Sequence, residues 1–186
     1  MGSETYSKKK GSSEKIEKAF APITPEICYI FEPAKKDNLC GTYPVECSGG
    51  GFLYFAKNGV VVMVVHCEDT KYYSTGTYSL QNDRCIIHMS QDYKFDEDAS
   101  TEVIRESGEG RDWDLSKGKL VPSKKRTFEL KTIECSNSSD DSWGYPWEYQ
   151  INEGNKWFVC TSKNTYTDVS DLELDEIPAI KKLIEQ

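Results

Sequence analysis

Gly51-Phe52-Leu53-Tyr54-Phe55, a turn at Lys57-Asn58-Gly59, Val60-Val61-Val62-Met63-Val64-Val65, then Gly76-Thr77-Tyr78, Leu80, a turn at Gln81-Asn82-Asp83, and Cys85-Ile86-Ile87-His88: this stretch decides the fold class. Short runs rich in β-branched and aromatic residues, punctuated by turn residues, read as strands. Asn-Gly between two apolar runs predicts a hairpin with a type I′ turn, because both residues tolerate the positive φ that the turn requires. Consecutive hairpins make an antiparallel up-and-down meander. Such a sheet removes its own exposed edges by closing into a barrel. The reading is therefore mainly β.

Outward from that stretch the chain is less regular. Residues 1 to about 14 are mostly Ser, Lys, Gly and Glu, a composition too polar to pack. A short helix is expected over Ser13–Phe20, with Ile16 and Phe20 on one face, ended by Pro22 and Pro25. Residues 1–25 thus read as a flexible polar tether and 26–186 as one domain. Within it, 26–50 reads as irregular, stapled locally by cysteines. Residues 91–126 are unusually charged: nine acids lie between Asp92 and Asp114, and five bases with no acid between Lys117 and Arg126. A long structureless loop is uncommon in a compact domain. A short hairpin is expected there around Ser116–Lys119, with Trp113–Leu115 facing Leu120–Pro122. Thr127–Ile133 alternates polar and apolar residues as a half-buried strand does. Trp147–Ile151 and Trp157–Cys160 form a further hairpin turning at Asn152–Asn155. Asp175–Gln186 reads as an amphipathic helix with Ile177, Ile180, Leu183 and Ile184 on one face, Asp175 as cap and Pro178 in the first turn.

Composition narrows the function classes. The chain has 186 residues, enough for one substantial core, and its net charge of −8 argues against nucleic acid as the main partner. No apolar run reaches the length needed to span a bilayer. Seven cysteines, at 28, 40, 47, 67, 85, 135 and 160, come with only two histidines and no CxxC pair. That pattern fits disulfides formed in an oxidising compartment better than a metal site. The odd number leaves at least one thiol unpaired or bonded to another chain. Met1-Gly2-Ser3 reads as an expression remnant standing where a leader was removed.

Motifs that commit a chain to chemistry are missing. His66-Cys67 and Cys85…His88 invite a zinc reading, but alternation along a strand sends 66 and 67, and likewise 85 and 88, to opposite faces. Structural zinc needs four ligands. A Ser-His-Asp or Cys-His arrangement would have to use His66 or His88, both inside predicted strands. The sequence holds no GxSxG, HExxH or P-loop pattern. Asp96-Glu97-Asp98 and Asp168, Asp171 and Glu173 lack EF-hand spacing and read as solvated surface, as does the basic trio Lys124-Lys125-Arg126. Trp143, Tyr145, Trp147 and Tyr149 share a parity, and one aromatic face is most simply core. Asn137-Ser138-Ser139 matches a glycosylation sequon, relevant only on a eukaryotic secretory route. No cofactor or metal is expected, and no enzyme activity.

Local detail is similar to the lipocalin-like (calycin) barrels of bacterial lipoprotein type. The residues that carry the resemblance are Gly41-Thr42-Tyr43, Phe55-Ala56-Lys57-Asn58-Gly59, and Gly76-Thr77-Tyr78-Ser79 followed by Asn82-Asp83. Tyr43 stands where the family prefers Trp, and Thr167-Asp168-Val169 lies too near the final helix to match the family's Thr-Asp-Tyr turn. The resemblance implies a barrel with a C-terminal helix, secreted or held at the cell surface or in the periplasm by a lipid anchor since removed, acting as a monomer. It implies binding of a small apolar ligand or of a protein partner. The ligand lining expected from the strand pattern is Phe52, Tyr54, Val61, Met63, Tyr78 and Trp147. A barrel of this size is either hollow or filled by its own side chains. The filled alternative is a structural or adhesion protein of the cell envelope.

Overall fold

The computed structural model describes residues 23–43, 50–67, 70–105, 108–135, 146–163 and 170–186, with backbone alone at 97 and over 101–112. Ten strands occur in it: β1 (Cys28–Ala34), β2 (Gly51–Phe55), β3 (Val60–Cys67), β4 (Thr70–Gln81), β5 (Arg84–Lys94), β6 (Ser100–Arg105), β7 (Gly108–Trp113), β8 (Lys119–Thr132), β9 (Tyr149–Glu153) and β10 (Lys156–Thr161). One helix, α1 (Pro178–Ile184), follows them. Eight strands close into an antiparallel barrel in the order β1-β10-β9-β8-β5-β4-β3-β2, and β6 pairs only with β7 as a separate hairpin. Neighbours in the barrel are neighbours in sequence once that hairpin is set aside. The expected up-and-down meander and its closure are both present.

The first hairpin turns differently from expectation. Gly59 takes φ +85°, while Asn58 is not among the residues of positive φ. The Gly59 N–H donates to the Ala56 carbonyl at 3.2 Å and the Ala56 N–H to the Val60 carbonyl at 2.8 Å. This is a longer turn closed by one left-handed glycine rather than a two-residue type I′ turn. Asn58 serves it through its side chain, whose Oδ1 accepts from the Val60 N–H at 3.1 Å.

Three further expectations are corrected. Residues 26–50 are not wholly irregular, because β1 lies within them and closes the barrel against both β2 and β10. Pro33 lies within this strand. Its carbonyl accepts from the Tyr43 N–H at 3.2 Å, on the side away from β10, so the missing proline donor breaks no ladder bond with β10. The hairpin inside the charged segment is β6–β7, not a hairpin about Ser116–Lys119. Residues 114–117 do turn, with Asp114 Oδ1 accepting from the Ser116 N–H at 3.0 Å, but the chain then returns to pair with β5. The final helix is shorter than expected. Its N-cap is Ile177, with no side-chain capping bond, so Asp175 is not the cap; Pro178 does sit in the first turn.

Alternation sorts the apolar residues into two layers. Inside the barrel lie Tyr29, Phe31, Leu53, Phe55, Val61, Met63, Cys85, Ile87, Met89, Phe128, Leu130, Tyr149, Ile151 and Cys160, with Ile23 packed against one end. Outside β2 to β5, a second cluster joins Tyr54, Val62, Val64, Tyr73 and Tyr93 to Leu172, Leu174, Ile177 and Ile180. The C-terminal segment is thus a strap over the outer face. That explains why β3 is apolar on both faces. A third cluster holds Ala34, Trp147 and Val159. Beside it, the Cys40–Cys135 disulfide joins two segments 95 residues apart. The expected Ser13–Phe20 helix, Cys47, Trp143, Tyr145 and the Asn137 sequon lie outside the described residues.

Candidate functional site

The barrel interior is the first place to look for a site, since a hollow calyx would bind there. Strand pairing fixes who faces in. Leu53 lies opposite Met63, and Phe52 opposite Val64. Val61 and Met63 therefore point inward with Leu53 and Phe55, while Phe52 and Tyr54 point outward beneath the strap. Tyr78 also faces in; its hydroxyl donates to the Ala56 carbonyl at 2.9 Å. Trp147 belongs to the third cluster, on the outside. Of the six residues expected to line a ligand site, the fold brings Val61, Met63 and Tyr78 together and sets Phe52, Tyr54 and Trp147 apart from them. Trp147 and Tyr149 do not share a face either. The strand begins at Tyr149, so the two-residue repeat does not extend back to Trp147.

Inside the barrel, Leu53, Phe55, Val61, Cys85, Ile87, Met89, Leu130 and Cys160 have no accessible surface at all. A side chain with none borders neither solvent nor a void large enough for water. These eight come from five of the eight barrel strands, so the middle of the barrel is filled by its own side chains, as an eight-stranded barrel allows. Aromatic edges interlock through it: Tyr29 on Phe55 at 5.4 Å between ring centres, and Phe55 on Tyr78 at 5.1 Å. Burial pushes the Cys85 thiol up to about 12, and raises Cys160 well above its ordinary value. Neither is a nucleophile near neutral pH.

One end of the interior is polar. There Arg126 Nη2 donates to Ser74 Oγ at 3.1 Å, and Ser74 Oγ donates to Asp92 Oδ1 at 2.7 Å. The Arg126 guanidinium also lies over the Phe128 ring, 5.7 Å from its centre. This trio sits where β5 carries an irregularity between Met89 and Gln91 that shifts its register with β8.

Outside, an open groove of about 620 Å³ runs between the β2–β3 turn and the C-terminal segment. Tyr54 and Leu174 form its buried floor, and Glu26, Lys57, Asp175 and Lys181 are among its walls. Lys57 is engaged by Glu26 at 2.5 Å, and Asn58 Nδ2 donates to the Leu183 carbonyl at 2.7 Å, tying helix to turn. Nearby, the strap is clamped by Lys71, which bonds the Asp171 carbonyl at 2.7 Å and Glu173 at 3.0 Å, and by Tyr73, whose hydroxyl donates to Glu173 at 2.9 Å.

The two histidines stand apart on the outer face. His66 lies beside Phe52, 5.4 Å between ring centres, and His88 Nδ1 is 3.1 Å from Thr127 Oγ1. Burial, and then the Lys71 ammonium, lower the His66 pKa below its ordinary value. Cys85 points in and His88 out, as alternation required. Among the described residues, no three His, Cys, Asp or Glu side chains gather as a metal site would need, and no helix is long and apolar enough to cross a membrane. No family model matches the chain, and neither a curated protein nor a solved structure matches it.

Proposed function

We propose that this chain is a secreted or surface-tethered, lipocalin-like domain without catalytic activity, which meets a protein partner through its outer surface rather than holding a small ligand inside its barrel. The observation that carries this reading is the filled interior. Pockets for small molecules typically enclose about 300–1,000 Å³, whereas eight central side chains of this barrel touch no void at all. Two further features support it. The β6–β7 hairpin is inserted between barrel strands and joins none of them, a display position for contact with another molecule. Cysteines 40, 67 and 135 are disulfide-bonded, in keeping with an oxidising compartment. The absence of catalysis is argued from the histidines, each on the outer face, His66 beside Phe52 and Lys71 and His88 beside Thr127, with no carboxylate hydrogen-bonded to either ring among the described residues.

The test is a fluorescence titration with fatty-acid and retinoid probes on wild type, on Phe128→Ala and on Met63→Arg. Wild type is expected to show no saturable binding. Phe128→Ala, which opens space in the middle of the barrel, is expected to gain some. Stoichiometric binding by wild type that folded Met63→Arg loses would restore the ligand-carrier reading and sink this one.

A further inference from the structure

We infer that the free edge of β8 is a docking site for an acidic, extended segment of a partner protein, which adds to the barrel wall as an extra strand. This deepens the proposed function, and rests on it for the claim that the partner is a protein.

The edge follows from the pairing. β8 runs from Lys119 to Thr132, and on one side it pairs with β5 along most of that length. On its other side it meets β9 only from Glu129 to Thr132. Among the described residues, 119–128 therefore have one side without a strand, and no backbone bond from another described segment covers it. A run of unpaired N–H and C=O groups is a template for another strand. Lys119, Pro122, Lys124, Lys125 and Thr127 are exposed along it.

Charge selects the occupant. Lys94 and Lys119 are direct cross-strand partners, like charges placed opposite each other at a cost. Lys117 lies in the adjoining turn, and Lys124 and Lys125 fall where the pairing jumps from Met89–Arg126 to Gln91–Pro122. Among the described residues, Lys94, Lys119, Lys124 and Lys125 form no ion pair, in a chain of net charge −8, and Lys117 acts on the Asp114 carboxylate at longer range. Two described acids of this segment are occupied: Asp92 by Ser74 and Arg126, and Asp114 by the Ser116 N–H and hydroxyl. Lysine, proline and an irregular register on an edge are also the devices that deter indiscriminate strand pairing. They repel a second copy of β8, which would set lysine against lysine, and they deter apolar strands. An incoming strand rich in Glu or Asp meets the opposite condition.

The experiment uses the whole protein, labelled with ¹⁵N, and an N-acetylated, C-amidated octapeptide of alternating Glu and Val. Controls are the Lys-Val octapeptide and a Glu-Val octapeptide N-methylated on alternate residues so that one edge cannot donate. The inference expects saturable shifts and slower amide exchange confined to residues 119–128 and their neighbours, with the Glu-Val peptide alone. Lys119→Glu/Lys124→Glu/Lys125→Glu, still folded by its spectrum, should bind about tenfold more weakly, in line with the loss of three surface ion pairs. Equal binding of the N-methylated peptide would show charge attraction without strand addition and overturn the inference, as would shifts mapping elsewhere or none at millimolar peptide. The apolar-probe titration fails or succeeds separately. Probe uptake by wild type would sink the filled-barrel reading and leave the β8 result to stand on its own.

Discussion

Ile180→Ala tests the docking of the C-terminal strap at its most sensitive point. Ile180 is fully buried, as are Leu172, Leu174 and Ile177 around it, against Val62, Val64 and Tyr73 of the barrel's outer face. Those walls are strands held in a closed sheet, so the site cannot collapse freely around a missing side chain. A substitution of this kind costs about 2–5 kcal/mol. For a chain of this length each kcal/mol lowers Tm by about 2–4 °C, giving a fall of about 4–20 °C. Leu183, three residues on, is only half-buried and lies outside that cluster. Leu183→Ala should cost about 1 kcal/mol or less. The assay is a urea titration followed by circular dichroism, with thermal melts alongside, and unchanged m-values would show that compactness is kept. If Ile180→Ala melts within a degree of wild type, or Leu183→Ala costs as much, the strap is not docked through the residues named.

Burial should silence the inner thiols: with Cys85 pushed up to about 12, roughly one molecule in ten thousand is thiolate at pH 8. Iodoacetamide on native, unreduced protein should therefore leave Cys85 and Cys160 unmodified until denaturant is added; rapid native labelling would contradict the packing. Replacing Cys40 and Cys135 together by Ser should cost about 2–5 kcal/mol, because their bridge joins residues 95 apart; an unchanged urea midpoint would refute this. Gly76→Ala should destabilise severely, since a Cβ there would lie 2.0 Å from the His88 carbonyl oxygen across the β4–β5 irregularity; a variant with wild-type Tm would show that the strands do not approach so closely. The His66 pKa should lie below the usual ~6.5, lowered first by burial and then by Lys71. The native state then binds fewer protons than the unfolded state, so this histidine's contribution to stability is present above ~6.5 and is lost as pH falls from there through the lowered folded pKa. An NMR midpoint at or above the ordinary value, or no rise in it with Lys71→Ala, would contradict the assignment.

The barrel was legible because its middle strands obey local rules. β2 to β5 carry apolar runs, alternation and turn residues in the order that a meander needs, and the Asn152–Asn155 turn marks the last hairpin. β1 was missed because 26–50 reads as irregular; that Pro33 fits a strand there depends on which side its missing donor faces, a fact of tertiary pairing. The β6–β7 hairpin was missed because Gly108, Gly110 and Gly118 all carry a turn signal, and nothing local ranks Gly118 in Ser116-Lys117-Gly118-Lys119 below the other two. Which of the six expected lining residues share a side depends on register. Phe52 and Tyr54 share a face, as do Val61 and Met63, but period-two patterns do not say which pairs face each other across strands that are apolar on both sides. The signal that would have resolved it was present. Val60 through Val65 has no polar face, so something must cover the outside of β3, and Leu172, Leu174, Ile177 and Ile180 were the apolar residues left to do so. The open edge of β8 carries no local signature except its lysines and proline.

The most direct test of the filled barrel is a crystal structure of the protein as purified, determined with and without xenon under pressure. The account predicts Leu53, Val61, Ile87, Met89 and Leu130 in mutual contact along the barrel axis, with no density between them beyond the side chains and no xenon in the middle of the barrel. An elongated ligand density, or xenon seated among those residues, would show a cavity where none is described and would contradict the central claim.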